Sequence, residues 1–121
     1  MVVDVLSFTT AVSIAVQAGS RVLPFWLPAA TAPAAERPVA VIAAGEQWPD
    51  GGLRPALEDL LGAGALISDL HAQGAGPLSA EASAARACGE STADIPHAIT
   101  VSVSGRELAA AGSAEDVAIA I

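Results

Sequence analysis

The first 25 residues read as strand, helix, strand, and that order constrains the fold more than any other feature of the chain. Residues 1–6 form a short β-branched run suited to a strand buried on both faces. Ser7 or Thr9 can cap the helix that follows over residues 11–18, Gly19 stops it, and residues 22–25 read as a second strand. Two strands joined by so short a helix pair in parallel, with a right-handed crossover. The pattern resumes at residues 39–44, a buried strand ending at Gly45. A turn-rich loop over 46–52 leads to a helix over 54–61, with Pro55 in its first turn. Gly62-Ala63-Gly64 is expected to break or kink that helix, leaving 65–71 as a separate one. An alanine-rich helix opens at Ser79 and ends near Gly89, and residues 99–103 read as a short strand. Two capping boxes, Ser104 to Glu107 and Ser113 to Asp116, each begin a short helix. The expected class is α/β: βαβ units with a small, mostly parallel sheet flanked by helices, forming one domain over 1–121. Residues 26–38, rich in proline and alanine, are expected to be a linker.

Composition narrows the partners. Thirteen acidic residues face five arginines and no lysine, a net charge of −8. That argues against a nucleic-acid surface and against binding to anionic membranes. Alanine occurs 29 times and aromatics make up 3%, so the apolar content is carried by small side chains. The single cysteine, Cys88, excludes an internal disulfide and is expected to be a small core residue. The apolar stretch near the start carries Asp4 where a signal peptide carries Lys or Arg, and prolines interrupt the other apolar region. A cytoplasmic protein is expected.

Two groups of residues can carry chemistry. Asp4 lies on the first strand, with the hydroxyls of Ser7, Thr9 and Thr10 just past its carboxyl end. Ligands of open α/β sheets collect there, and a helix start offers N–H groups to an anion. Simple helix capping by Ser7 accounts for part of the same pattern. Leu6 stands where an aspartyl-nucleophile phosphatase needs its second Asp, which excludes that class. The second group is Gly45-Glu46 at a strand end, then Asp50, Arg54, Glu58 and Asp59. This set can supply carboxylates to Mg²⁺. It also reads as a solvated acidic face, with Arg54 and Glu58 a surface pair four residues apart and only one of Glu58 and Asp59 facing a site. His71 suits a helix end, His97 lacks metal-ligand spacing, and Trp26 and Trp48 flank loops.

The stretches MVVDVLSFTTAVSIAVQAGSRVLPF, VAVIAAGEQWPDGGLRPALEDLLGAGALISDL and VSVSGRELAAAGSAEDVAIAI together resemble the 2-phosphosulfolactate phosphatase family, in particular its actinobacterial members. The resemblance implies a three-layer α/β/α fold and a Mg²⁺-dependent hydrolase that removes phosphate from 2-phospho-3-sulfolactate, a step toward coenzyme M in methanogens. By position Asp4, the Glu58–Asp59 pair and Ser104-Gly105-Arg106 match the family's motifs. Joined to the strand-end reading of Glu46, this gives catalytic roles to Asp4, Glu46 and Asp59, and a metal held by Asp4, Glu58 and Asp59. The resemblance further implies substrate binding by Ser7, Thr9, Thr10, Arg54, Ser104 and Arg106. Ser7 replaces an arginine common in that family, and the linker jumps across a central segment bearing an Asn-Gly motif. The chain is therefore expected to be a shortened member with an internal deletion. The alternative reading is a catalytically inactive remnant that binds an anion or a partner, with self-association through exposed sheet edges.

Overall fold

Val2–Val3 (β1) lies parallel to Ile42–Ala43 (β2), with Val2 opposite Ile42 and Val3 opposite Ala43. These strands belong to a computed structural model that describes residues 1–6, 38–112 and 117. Bonds from Ile42 N–H to the Met1 carbonyl (2.8 Å) and from Ala44 N–H to the Val3 carbonyl (2.9 Å) continue the ladder. The strands predicted over 1–6 and 39–44 are therefore present as short pieces and pair in parallel with each other, while the expected pairing of 1–6 with 22–25 falls outside the described residues. Burial on both faces is not observed: Val2 is 67% exposed and Ile42 54%. A strand buried on both sides needs a layer on each, and among the described residues one helix packs against this pair.

Beyond β2 the chain turns at Gly45 and forms a hairpin, Glu46–Gln47 (β3) antiparallel to Leu53–Arg54 (β4). Its tip is closed by Trp48 N–H to the Gly52 carbonyl (2.7 Å) and Gly51 N–H to the Trp48 carbonyl (2.8 Å). Gly51 takes a φ of +88°, which favours glycine, and the Asp50 carboxylate accepts from Gly52 N–H at 2.9 Å. Arg54 is thus a strand residue rather than the first residue of a helix. A residue preceding proline is pushed toward extended backbone, and Pro55 sets that boundary.

Helix α1 runs unbroken over Leu57–Ala72 behind an Ala56 N-cap, so Pro55 stands before it and not in its first turn. The expected break at Gly62-Ala63-Gly64 does not occur, and residues 65–71 continue the same helix. Close packing explains the glycines. A Cβ on Gly62 would lie 2.9 Å from Val3 Cγ1 and 3.0 Å from Val5 Cγ2. A Cβ on Gly64 would collide with the Ala85 carbonyl of the next helix, α2 (Ala80–Ser91). Helix α2 begins as expected, with the Ser79 hydroxyl accepting from Ala82 N–H at 3.2 Å.

Residues 99–103 are not a strand. Ile95–Thr100 forms α3, capped by Asp94, and Val103–Ala110 forms α4. Ile99 lies buried in the core, and that burial overrides its β-branched preference. The cap of α4 is Ser102, whose hydroxyl accepts from Gly105 N–H at 3.0 Å, two residues before the predicted Ser104. A Cβ on Gly105 would collide with the Ile99 carbonyl, so glycine permits the tight reversal between α3 and α4.

The core joins Leu6, Leu61, Ile99 and Val117, with Val5, Ile95, Leu108 and Cys88 packed against it. Cys88 takes the expected role of a small packing residue. The class is α/β. Among the described residues no helix is long and apolar enough to cross a membrane. The expected helix over 11–18, strand over 22–25, Trp26, most of the linker and the capping box at 113–116 lie outside the described residues.

Candidate active site

Three chain segments converge at the carboxyl ends of β1 and β2. Asp4 and Val5 follow β1, Gly45 and Glu46 follow β2, and Glu58 and Asp59 lie in the first turn of α1. The element that ties them is Asp59, which is 3% exposed. Its Oδ1 accepts from Val5 N–H at 2.8 Å and its Oδ2 from Gly45 N–H at 2.8 Å. One carboxylate therefore fastens both strand ends to the start of the helix. Gly45 meets it with a φ of +72°, and a Cβ there would lie 2.9 Å from the Arg54 carbonyl oxygen. Glycine alone suits that corner.

The neighbouring carboxylates are less well provided for. Glu58 is 1% exposed, and among the described residues its Oε2 has no hydrogen-bond partner; Asp4 Oδ1 is likewise buried and without a partner among them. Burial pushes the Asp4 carboxyl up to about 6, and the charges of Asp59, Glu46 and Glu58 push the same way. Burial also raises Glu46, against the opposing pull of the Arg54 cation, while Glu58, Asp59 and Glu107 add to the rise. Asp59 is raised by burial and drawn back by the Val5 and Gly45 hydrogen bonds. Of the acidic residues expected to form a solvated face, Glu58 and Asp59 are both buried and Glu46 is half-buried, while Asp50 is exposed at the hairpin tip. Adjacent helical residues diverge by about 100°, but a helix end is surrounded by loops on more than one side.

Arg54 stands at the rim. It is the cross-strand partner of Glu46, and its guanidinium lies 5.4 Å from the centre of the Trp48 ring. The expected Arg54–Glu58 surface pair does not form, because Arg54 is on β4 and not on the helix. Its partner is Glu107 of α4, with Nη1 to Oε1 at 3.1 Å and Nη2 to Oε2 at 2.8 Å.

The family model described as 2-phosphosulpholactate phosphatase matches residues 27–121. The chain belongs to that family. The match takes in most of the chain, and the family name implies a phosphatase acting on a phosphate ester. Compared with curated proteins and with solved structures, this 2-phosphosulpholactate phosphatase family member matches none.

The family match contains Glu46, Arg54, Glu58, Asp59, Ser104 and Arg106, and it begins after Asp4, Ser7, Thr9 and Thr10. The structure brings Asp4, Glu46, Glu58, Asp59 and Arg54 together. Ser104 is buried in the first turn of α4 and Arg106 is exposed on the same helix. Ser7, Thr9 and Thr10 lie outside the described residues. Sequence reasoning passed over Glu107, because the capping-box pattern gave its carboxylate another task. His71 lies in the last turn of α1, its Nδ1 3.0 Å from the Ala75 carbonyl oxygen, and His97 lies on α3, away from these carboxylates in sequence and element.

As to a metal, Asp4 and Glu58 each offer a buried oxygen with no partner among the described residues, whereas both oxygens of Asp59 are engaged by backbone. Among the described residues no three His, Cys, Asp or Glu side chains are grouped closely enough to hold an ion by themselves. Mg²⁺ does not require such a cage, since it binds through one or two carboxylates and retains water and phosphate oxygens.

Proposed function

We propose that this chain is a Mg²⁺-dependent phosphatase that releases inorganic phosphate from 2-phospho-3-sulfolactate or a related phosphate monoester. The observation that carries this reading is the pair of buried carboxylate oxygens on Asp4 and Glu58 that have no partner among the described residues. A buried charge without a partner is costly, and a site that maintains two of them gains from a cation. Asp4 and Glu58 would hold the ion, with Asp59 as the clamp that positions both strand ends beside it. Bound there, Mg²⁺ supplies Lewis-acid neutralisation of the phosphoryl oxygens.

The remaining residues divide the other tasks. Glu46, at the end of β2, accepts a proton from the water that attacks phosphorus. The ester P–O bond breaks, the departing alkoxide takes up a proton from solvent water to leave as the alcohol, and Glu46 returns its proton to solvent. Arg54 receives the carboxylate or sulfonate of the substrate, for which a planar two-pronged cation is suited. Ser104 and Arg106 belong to the same reading as further substrate contacts from α4.

The test is phosphate release from 2-phospho-3-sulfolactate, with and without Mg²⁺. Turnover that needs the metal and falls about 10²-fold or more in Asp4→Asn and Glu46→Gln supports the reading. No release of phosphate from any monoester in the presence of Mg²⁺ overturns it, and the inactive anion-binding module takes its place.

A further inference from the structure

We propose that Glu107 is a displaceable stand-in for an anionic group of the ligand, occupying the two-pronged face of Arg54 until an incoming oxyanion takes its place. The inference rests on the reading of Arg54 as an anion-binding residue and adds what controls access to it.

Three observations lead there. First, both terminal nitrogens of Arg54 are engaged by the two oxygens of Glu107, at 3.1 and 2.8 Å. That side-by-side arrangement is the one a carboxylate, phosphate or sulfonate of a ligand also uses. An oxyanion that takes this Nη1/Nη2 edge must first displace Glu107. Second, the two partners are unequal: the Arg54 side chain is 11% exposed and that of Glu107 is 60% exposed. Arg54 is fixed on a hairpin strand opposite Glu46, with the Trp48 ring 5.4 Å away. Glu107 reaches in from the surface of α4 and returns to water when released, at little cost for an exposed acid. Third, the pair borders the enclosed carboxylates, because Glu46 is the direct cross-strand neighbour of Arg54. A ligand held by the carboxylate site through a cation therefore comes within reach of this fork.

A plain structural brace predicts the opposite behaviour, so the two roles separate by sign. Removing a brace loosens Arg54 and weakens anion binding. Removing a stand-in eliminates an internal competitor and strengthens it. Sulfate and inorganic phosphate serve as probes, titrated calorimetrically into the full chain with Mg²⁺ held constant. Glu107→Gln is expected to tighten sulfate binding about fivefold or more, and Arg54→Gln to abolish it. Equal or weaker binding by Glu107→Gln overturns the proposal, as does the lack of sulfate and phosphate binding by both chains.

A second measurement needs no substitution. In the unaltered protein, sulfate is expected to shift the NMR signals of the Arg54 guanidinium and the Glu107 carboxyl carbon together. The Arg86–Glu90 pair on α2, joined at 2.7 Å, is the internal control and should stay unchanged. A Glu107 signal that stays still while sulfate binds also overturns the proposal. Neither experiment depends on turnover. Absent phosphate release with the expected sulfate behaviour removes the phosphatase and leaves the stand-in; turnover with sulfate binding indifferent to Glu107 does the reverse.

Discussion

Glu58 and Asp59 are chemically alike and adjacent, yet their surroundings give them opposite effects on the fold. Asp59 has a backbone N–H on each oxygen, at 2.8 Å from Val5 and from Gly45. Asparagine at that position keeps one acceptor oxygen and turns an NH₂ donor toward the other N–H. Asp59→Asn is therefore expected to destabilise the protein by about 1–3 kcal/mol, the cost of a buried donor left without a partner. Urea unfolding at neutral pH measures it. Glu58 has a buried oxygen with no partner among the described residues. Glu58→Gln removes that charge at nearly constant shape, so the metal-free protein should unfold at a higher temperature than the parent. The same variant should lose stabilisation by Mg²⁺, because a ligand oxygen has been neutralised. A lower melting temperature without metal, or an undiminished Mg²⁺ response, would count against this account of Glu58.

Small residues decide how the elements meet. Gly64 of α1 lies against the Ala85 carbonyl of α2, and Gly62 lies against Val3 and Val5 beneath β1. Gly64→Ala is expected to force the two helices apart and cost about 1–3 kcal/mol, although alanine is the better helix former by about 1 kcal/mol. Thermal unfolding gives the sign, and net stabilisation would show that the helices have room to spare. This packing also explains what the sequence made legible. The strands over 1–6 and 39–44, the Ser79 cap and the general strand–helix alternation follow from local patterns, whereas the pairing of β1 with β2 joins segments about 40 residues apart that no local pattern links. The continuity of α1 does not, because Gly-Ala-Gly resembles a stop signal until Ala85 arrives from a distant segment. The exchange of a predicted strand at 99–103 for α3 and the start of α4 has the same origin: Ile99 is buried by partners that no local window contains. In the site, the strand-end rule found Asp4 and Glu46. The enclosure of Glu58 and the attachment of Arg54 to Glu107 depend on contacts across 53 residues of chain or on the loops around a helix end.

Across the whole molecule, a chain of net charge −8 gathers four of its carboxylates at one place, and its stability should follow the protonation of Asp4, Glu46 and Asp59. Asp4 is raised from 3.8 to about 6 by burial and by its acidic neighbours, and Glu46 and Asp59 shift in the same direction. The folded state therefore retains protons that the unfolded chain releases as pH climbs through this interval. Stability falls wherever the native state binds more protons. Glu90, held down by its hydrogen bond from Arg86, and Glu81, held down by backbone and by Ser79, act the other way. Both are exposed, so solvent weakens their contribution. Without divalent metal, the melting temperature is expected to be higher at about pH 5 than at about pH 7.5. Protons and Mg²⁺ compete for the same oxygens, so Mg²⁺ should raise the melting temperature more at the higher pH. Asp4→Asn should flatten both dependences, since asparagine neither titrates in this range nor offers a charged ligand. Scanning calorimetry at the two pH values, with Mg²⁺ and with chelator, separates the outcomes. A melting temperature that rises with pH in chelator would mean that these carboxylates do not govern the balance, and that the cluster is better hydrated than its burial implies.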